Sequence, residues 1–177
     1  MVSQVKPLSN VRRIQRLLEL KLFSNTTLGR AIVNALPRQK KYILTMDRTA
    51  WEPGKRDYNI MAIGICYDGI SIPIYFDTYD KDGTSDLTEE IAFIEHVLDI
   101  IPIEVIECLV ADREFGNSNF IRWLKIRHIP FCLRLRENFN IRMAGTKQII
   151  QIRHKLASLP LGEAAVIFIR IASPWEV

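Results

Sequence analysis

Apolar positions along the chain change rhythm twice. Near the N-terminus they recur at helical spacing: Val11, Ile14, Leu17, Leu18 and Leu22, with Ser9 and Asn10 available as caps. A second helix is predicted from Thr26 or Thr27, carrying Leu28, Ile32, Val33 and Leu36, and Pro37 stops it. The spacing then shortens. Tyr42-Ile43-Leu44-Thr45-Met46 is a β-prone run ending in Asp47. Tyr58 to Tyr67 is a strand, Asp68-Gly69 a hairpin turn, and Ile70 to Phe76 the returning strand, with Pro73 marking an edge or bulge.

Helical spacing returns after the polar loop Asp77 to Asp86. Asp86 or Thr88 caps a helix with Leu87, Ile91, Ile94, Val97, Leu98 and Ile101, and Pro102 ends it. Val105 to Ala111 is a compact strand that again ends in an acid, Asp112. Gly116-Asn117-Ser118 opens a helix with Phe120, Ile121, Trp123, Leu124 and Ile126; after Pro130, Phe131 to Leu135 is another strand. Ile149 to Ile152 alternates weakly, and Ala164 to Ile171 has strand character. Three strands in a meander, followed by strands joined through helices, predict an α/β fold with a mixed sheet.

Composition narrows the class. The 177 residues are 48% hydrophobic and 25% charged, as in an average globular domain. No apolar run approaches the ~20 residues of a membrane helix, and the N-terminus lacks a signal core. Three scattered cysteines, with no CxxC pair, argue against structural zinc and a disulfide scaffold. The expectation is a chain in a reducing, cytoplasmic compartment with no membrane partner.

The net charge of +4 hides a pattern. Residues 1–41 carry nine Lys/Arg against one Glu, residues 42–112 four against fifteen Asp/Glu, and residues 113–155 ten against two. Two basic blocks flank an acidic one. Each block alone is equally well a solvated surface. Together they suit a polyanion-binding surface around a centre that holds cations.

Asp47 and Asp112 stand out by position. A carboxylate closing a buried strand needs hydrogen bonds, a basic partner or a metal. Two of them on neighbouring strands suit Mg²⁺ or Mn²⁺ through hard oxygen ligands. Pairing with the adjacent Arg48 and Arg113 is the alternative.

The segment Asp47-Arg48-Thr49-Ala50-Trp51, with Gly54 and the Asp68-Gly69 hairpin, resembles the first-acid region of DDE transposases of bacterial insertion sequences. Val110-Ala111-Asp112-Arg113-Glu114-Phe115-Gly116, with the Trp123-Leu124 helix and Phe131 to Arg136, resembles their second-acid region. The resemblance covers about residues 40–140. It implies a ribonuclease H-like catalytic domain, with Asp47 and Asp112 as the first two acids holding Mg²⁺ or Mn²⁺. It also implies DNA partners, both element ends and target, and a homodimer or a dimer with the full-length transposase. The setting would be the bacterial nucleoid.

The third acid of that family, a Glu in a Tyr/Arg/Glu/Lys motif, has no counterpart: Glu137, Glu163 and Glu176 all lack the motif. The expected organisation is a basic helical segment over 1–41, a partial core over 42–138 and the start of a β-rich insertion over 139–177. The chain is expected to stop before the last catalytic helix, as a truncated, frame-shifted or excised piece, inactive alone. A non-catalytic DNA-binding or regulatory protein and a ribonuclease H-like nuclease are the alternative readings.

Candidate DNA contacts are Arg48, Trp51, Lys55, Arg113, Arg134 and Arg136. Arg134 and Arg136 share a strand face, and ordinary solvent exposure is as good an account of them. Trp51 either stacks on a base or packs. Glu114 either assists the metal or pairs with Arg113. His96, His128 and His154 are not at metal spacing and are read as non-catalytic. The Arg12, Arg13 and Arg16 cluster equally binds DNA or lines a solvated helix face.

Overall fold

The computed structural model describes residues 23–51, 58–79, 86–142 and 148–157. The predicted N-terminal helix over 9–22, Lys55, and the strand-like stretch 164–171 lie outside the described residues.

Helix α1 (Asn25–Ala35) starts where Ser24 accepts a hydrogen bond from the Thr27 amide. Strands β1 (Tyr42–Trp51), β2 (Tyr58–Tyr67) and β3 (Ile70–Tyr79) form the meander. The β2–β3 turn has positive φ at both Asp68 and Gly69, the geometry of the tight hairpins that match strand twist. Helix α2 (Leu87–Leu98) begins with a reciprocal capping box between Asp86 and Glu89. Strand β4 (Ile106–Ala111), helix α3 (Ser118–Ile126) and strand β5 (Phe131–Leu133) follow. A small hairpin, β6 (Asn140–Arg142) and β7 (Ile149–Gln151), leads into the short helix α4 (Ile152–Leu156).

The main sheet has the order β3-β2-β1-β4-β5. β2 runs antiparallel to β1 and β3; β4 is parallel to β1, and β5 to β4. This is the ribonuclease H-like mixed sheet expected from the sequence. β3 is an edge strand, and its register shifts beside Pro73, as that proline required. β1 runs on past Met46 to Trp51 and β3 past Phe76 to Tyr79, further than their apolar runs suggested, because hairpin pairing carries the polar ends along.

One face of the sheet holds the core. Leu44 and Met46 of β1, Met61, Ile63 and Ile65 of β2, and Leu109 and Ala111 of β4 pack with Phe93, Ile94 and Val97 of α2 and Phe120 and Leu124 of α3. Helix α1 joins through Ile32 and Val33, and its C-cap Leu36 packs there too, so this part of the 1–41 segment is packed against the core. Glu90 is buried in α2 and accepts from Asn117 Nδ2 at 2.9 Å. Asn117 also caps α3 through the Phe120 amide, so this acid anchors the turn that follows β4.

Tyr79, at the end of β3, responds to pH. Its phenol is pushed up to about 12, chiefly by burial, then by the negative charge of Asp77 and Glu89. A raised folded-state value means that folding favours the neutral phenol. That contribution is fully present below pH ~10 and is lost as pH rises through about 12. Denaturant midpoints should therefore fall between about pH 10 and 12, and Tyr79→Phe should flatten the fall. An unchanged pH slope in the variant would overturn this assignment.

Candidate metal and nucleic-acid site

The two acids come onto adjacent strands, although β1 does not end at Asp47 as its apolar run predicted but continues to Trp51. Met46 of β1 pairs with Ala111 of β4 in the parallel ladder; Asp47 is the next residue of β1 and Asp112 the first residue after β4. Neighbouring strands lie ~4.8 Å apart, so one ion can reach both carboxylates. Side chains alternate along a strand, and Met46 and Ala111 are buried, which turns both acids to the opposite face. Both are exposed. Asp112 directly follows the carboxyl end of β4, where α/β sheets collect ligands, and Asp47 stands beside it where β1 leaves its parallel pairing and runs on to Trp51 with β2 alone.

Asp112 also opens the turn Arg113–Phe115, without a side-chain cap bond. Its Oδ1 lies 3.6 Å from Arg134 Nη1. Asp47 accepts its neighbour's backbone amide, from Arg48, at 2.9 Å. Arg48 points to the buried side instead and pairs with Glu114 at 2.8 Å, both side chains being largely covered at 15% and 22% exposure. A second Arg48 nitrogen, Nε, donates to the same Glu114 oxygen at 3.0 Å. This pair ties β1 to the turn after β4 and so holds the two acid-bearing segments together.

The pairing therefore differs from the adjacent-residue alternatives. Asp47 does not close an ion pair with Arg48, and Glu114 meets Arg48 where Arg113 was the sequence neighbour. No spacing rule reports such contacts between residues 66 apart. Of the other candidate contacts, Arg113, Arg134 and Arg136 are exposed, with Arg134 beside the acids. Trp51 closes β1, and Lys55 lies outside the described residues.

The donor set suits magnesium in one respect. Mg²⁺ is commonly held by one or two carboxylates, with waters and substrate phosphate oxygens completing six positions. Asp47 and Asp112 supply two such donors with solvent access. Among the described residues no group of three or more His, Cys, Asp or Glu is placed to hold a metal. None of their helices is long and apolar enough to cross a membrane.

No family model matches the chain, and no curated protein matches it. Among solved structures it is similar to the HTLV-2 integrase catalytic core domain in complex with magnesium. For the dimeric form the identity is 16% and the TM-score 0.41, over 55% of this chain and 63% of that one. For the trimeric form the values are 17%, 0.40, 56% and 62%. A chain of the simian T-cell lymphotropic virus intasome, in complex with PP2A regulatory subunit B56 gamma, is 14% identical with a TM-score of 0.41, over 56% of this chain and 36% of that one. The chain thus spans less than two thirds of the length of each.

Proposed function

We propose that this chain carries the first two acids of a DDE-type transposase centre, acting on DNA phosphodiesters with Mg²⁺ or Mn²⁺. One observation supports the reading above all. Two acids, each in its own transposase-like motif, directly follow the last pair of the β1–β4 parallel ladder and face the same side. When bound, the divalent ion supplies charge for in-line phosphoryl transfer, at the attacking and leaving oxygens. Asp47 and Asp112 would hold it, and the Arg48–Glu114 pair would keep their strand ends in register. Arg134, beside Asp112, would meet a phosphate oxygen as a charge-assisted donor. The partners are element-end and target DNA, and a second transposase subunit, in a bacterial cytoplasm.

The polypeptide by itself is expected to give no strand transfer, because two carboxylates leave the metal geometry incomplete. A strand-transfer assay with cleaved element ends and Mg²⁺ or Mn²⁺ checks this. Robust product that disappears in Asp47→Ala would show a complete centre and overturn the partial-centre reading.

The second reading is a non-catalytic DNA-binding or regulatory chain. It is favoured by the proximity of Arg134 to Asp112, a partner that can stand in for a cation. Salt-dependent DNA binding that is indifferent to metal would support it.

A further inference from the structure

The end of β1 remote from the acids holds a cavity of about 330 Å³. Tyr42, the first residue of β1, lines it, and Asp47 lies about 17 Å further along the strand at ~3.3 Å per residue. The walls come from three directions. Val33 closes the cavity on the α1 side, Ile100 and Ile101 enter from the chain after α2, and Pro102 and Val105 from the turn that leads into β4. These walls are apolar, and the volume is that of a small-ligand site. The β1–β4 ladder is irregular just here: Tyr42 faces Ile106 but Ile43 faces Cys108, which leaves Glu107 as a bulge. Bulges recur next to sites, where they re-aim a side chain or end the pairing.

Two polar groups converge on this apolar space. Tyr42 is only 7% exposed. Its hydroxyl accepts from the Gln39 amide at 3.4 Å, and among the described residues nothing accepts the hydroxyl proton. A buried donor left without an acceptor is unfavourable, so the cavity offers one to a ligand. The second group is the Arg38 guanidinium, at an exposed position, with no carboxylate paired to it among the described residues. Arg38 belongs to the run Arg38-Gln39-Lys40-Lys41, which faces one acid, Glu104, in the adjoining turn. A second cavity, of about 160 Å³ beside β3, has no cationic residue in its wall.

We infer that this cavity binds a small organic monocarboxylate with an aromatic or branched apolar body. The body fills the hollow against Val33, Ile100, Ile101 and Val105. The carboxylate accepts the Tyr42 hydroxyl proton in a hydrogen bond and pairs with the Arg38 guanidinium, a charge-assisted contact. Charge and shape together select this class. An apolar molecule leaves both donors unanswered, and a phosphodiester backbone brings little apolar surface to bury against the isoleucines. The site is separate from Asp47 and Asp112 and needs neither metal nor DNA, so its test is independent of the transposase reading.

Phenylpropionate and isocaproate, one aromatic and one branched, are the probes. Each is titrated into the full chain without metal, and backbone amide NMR shifts are followed. Saturable shifts are expected at Val33, Gln39, Tyr42, Ile101 and Val105 for at least one probe, and none at Asp47 or Asp112. The neutral analogue phenylpropionamide should bind about tenfold more weakly than the acid, because hydrogen bonds to a charged group are the stronger kind. Arg38→Gln and Tyr42→Phe should each weaken binding by about tenfold. Tyr42→Phe keeps the ring that packs in the core, and Arg38→Gln changes an exposed side chain, so the second variant reads out even if the first fails to fold. Lys125→Gln, at an exposed position of α3, should bind as wild type. Four results would each overturn the assignment: no saturable shift with either acid, equal binding of the amide, affinity unchanged by Arg38→Gln, or displacement of the probe by equimolar inorganic phosphate or a short DNA duplex, which would mark Arg38 as a plain polyanion contact.

Discussion

Asp112→Asn, and equally Asp47→Asn, will remove Mn²⁺ binding from this chain. Isothermal titration, or the relaxation of water protons by Mn²⁺, reads the effect. With Asp47 and Asp112 as the two carboxylates beside the end of the β1–β4 ladder, each variant removes one of the two proposed anionic donors. The loss should exceed the roughly 10–100-fold that removing a mere supporting partner of a ligand costs. Neither change threatens the fold, because both side chains are exposed and outside the core cluster. Arg134→Ala should act in the opposite direction: it deletes the cation 3.6 Å from Asp112 and leaves that carboxylate to the metal. A wild-type chain whose weak Mn²⁺ binding is untouched by either Asn substitution would refute the assignment of these acids.

Gly29→Ala should destabilise the protein although it improves the helix. In an isolated helix this change is worth about 1 kcal/mol in favour of Ala. Here the new Cβ would lie 2.3 Å from the Ile74 carbonyl oxygen and 2.6 Å from Ile100 Cδ1. The Ile100 side chain can turn away, but the β3 backbone cannot. Overpacking of this kind costs typically 1–3 kcal/mol, and contact with fixed backbone belongs at the upper end. The net expected loss is about 1–2 kcal/mol once the propensity gain is subtracted. Asn34→Ala, at an exposed site of the same helix, should be neutral or slightly stabilising. Equal stability of Gly29→Ala and wild type in urea would mean that α1 does not dock on β3 this closely.

Most of the main sheet was legible in the chain because its signals are local. Asp68-Gly69 announces the hairpin; Pro73 announces an edge; Asp86, three residues before Glu89, announces the start of α2. The two acids stand out in the chain because each ends an apolar run, although β1 itself continues past Asp47 to Trp51. Of the small hairpin only β7 left a trace, the weak alternation over Ile149 to Ile152; β6 and the helix α4 did not, because elements of three to five residues hold too few apolar positions to set a period. The inward turn of Arg48 was equally hidden. Its partner Glu114 lies 66 residues away, and pairing across elements leaves no trace in local spacing.

The chain's own pattern thus settles the strands of the main sheet and the helices between them, their order, and which two acids follow an apolar run. Those follow from side-chain periodicity, turn chemistry and capping, each acting within a few residues. The adjacency of Asp47 and Asp112, their shared outward face, and the choice of Arg134 and Arg48 as neighbouring cations came only with the fold. The parity of a parallel ladder decides the face, and that ladder joins residues 65 apart, as Met46 joins Ala111. A one-residue slip would have turned the acids into the core and emptied the site.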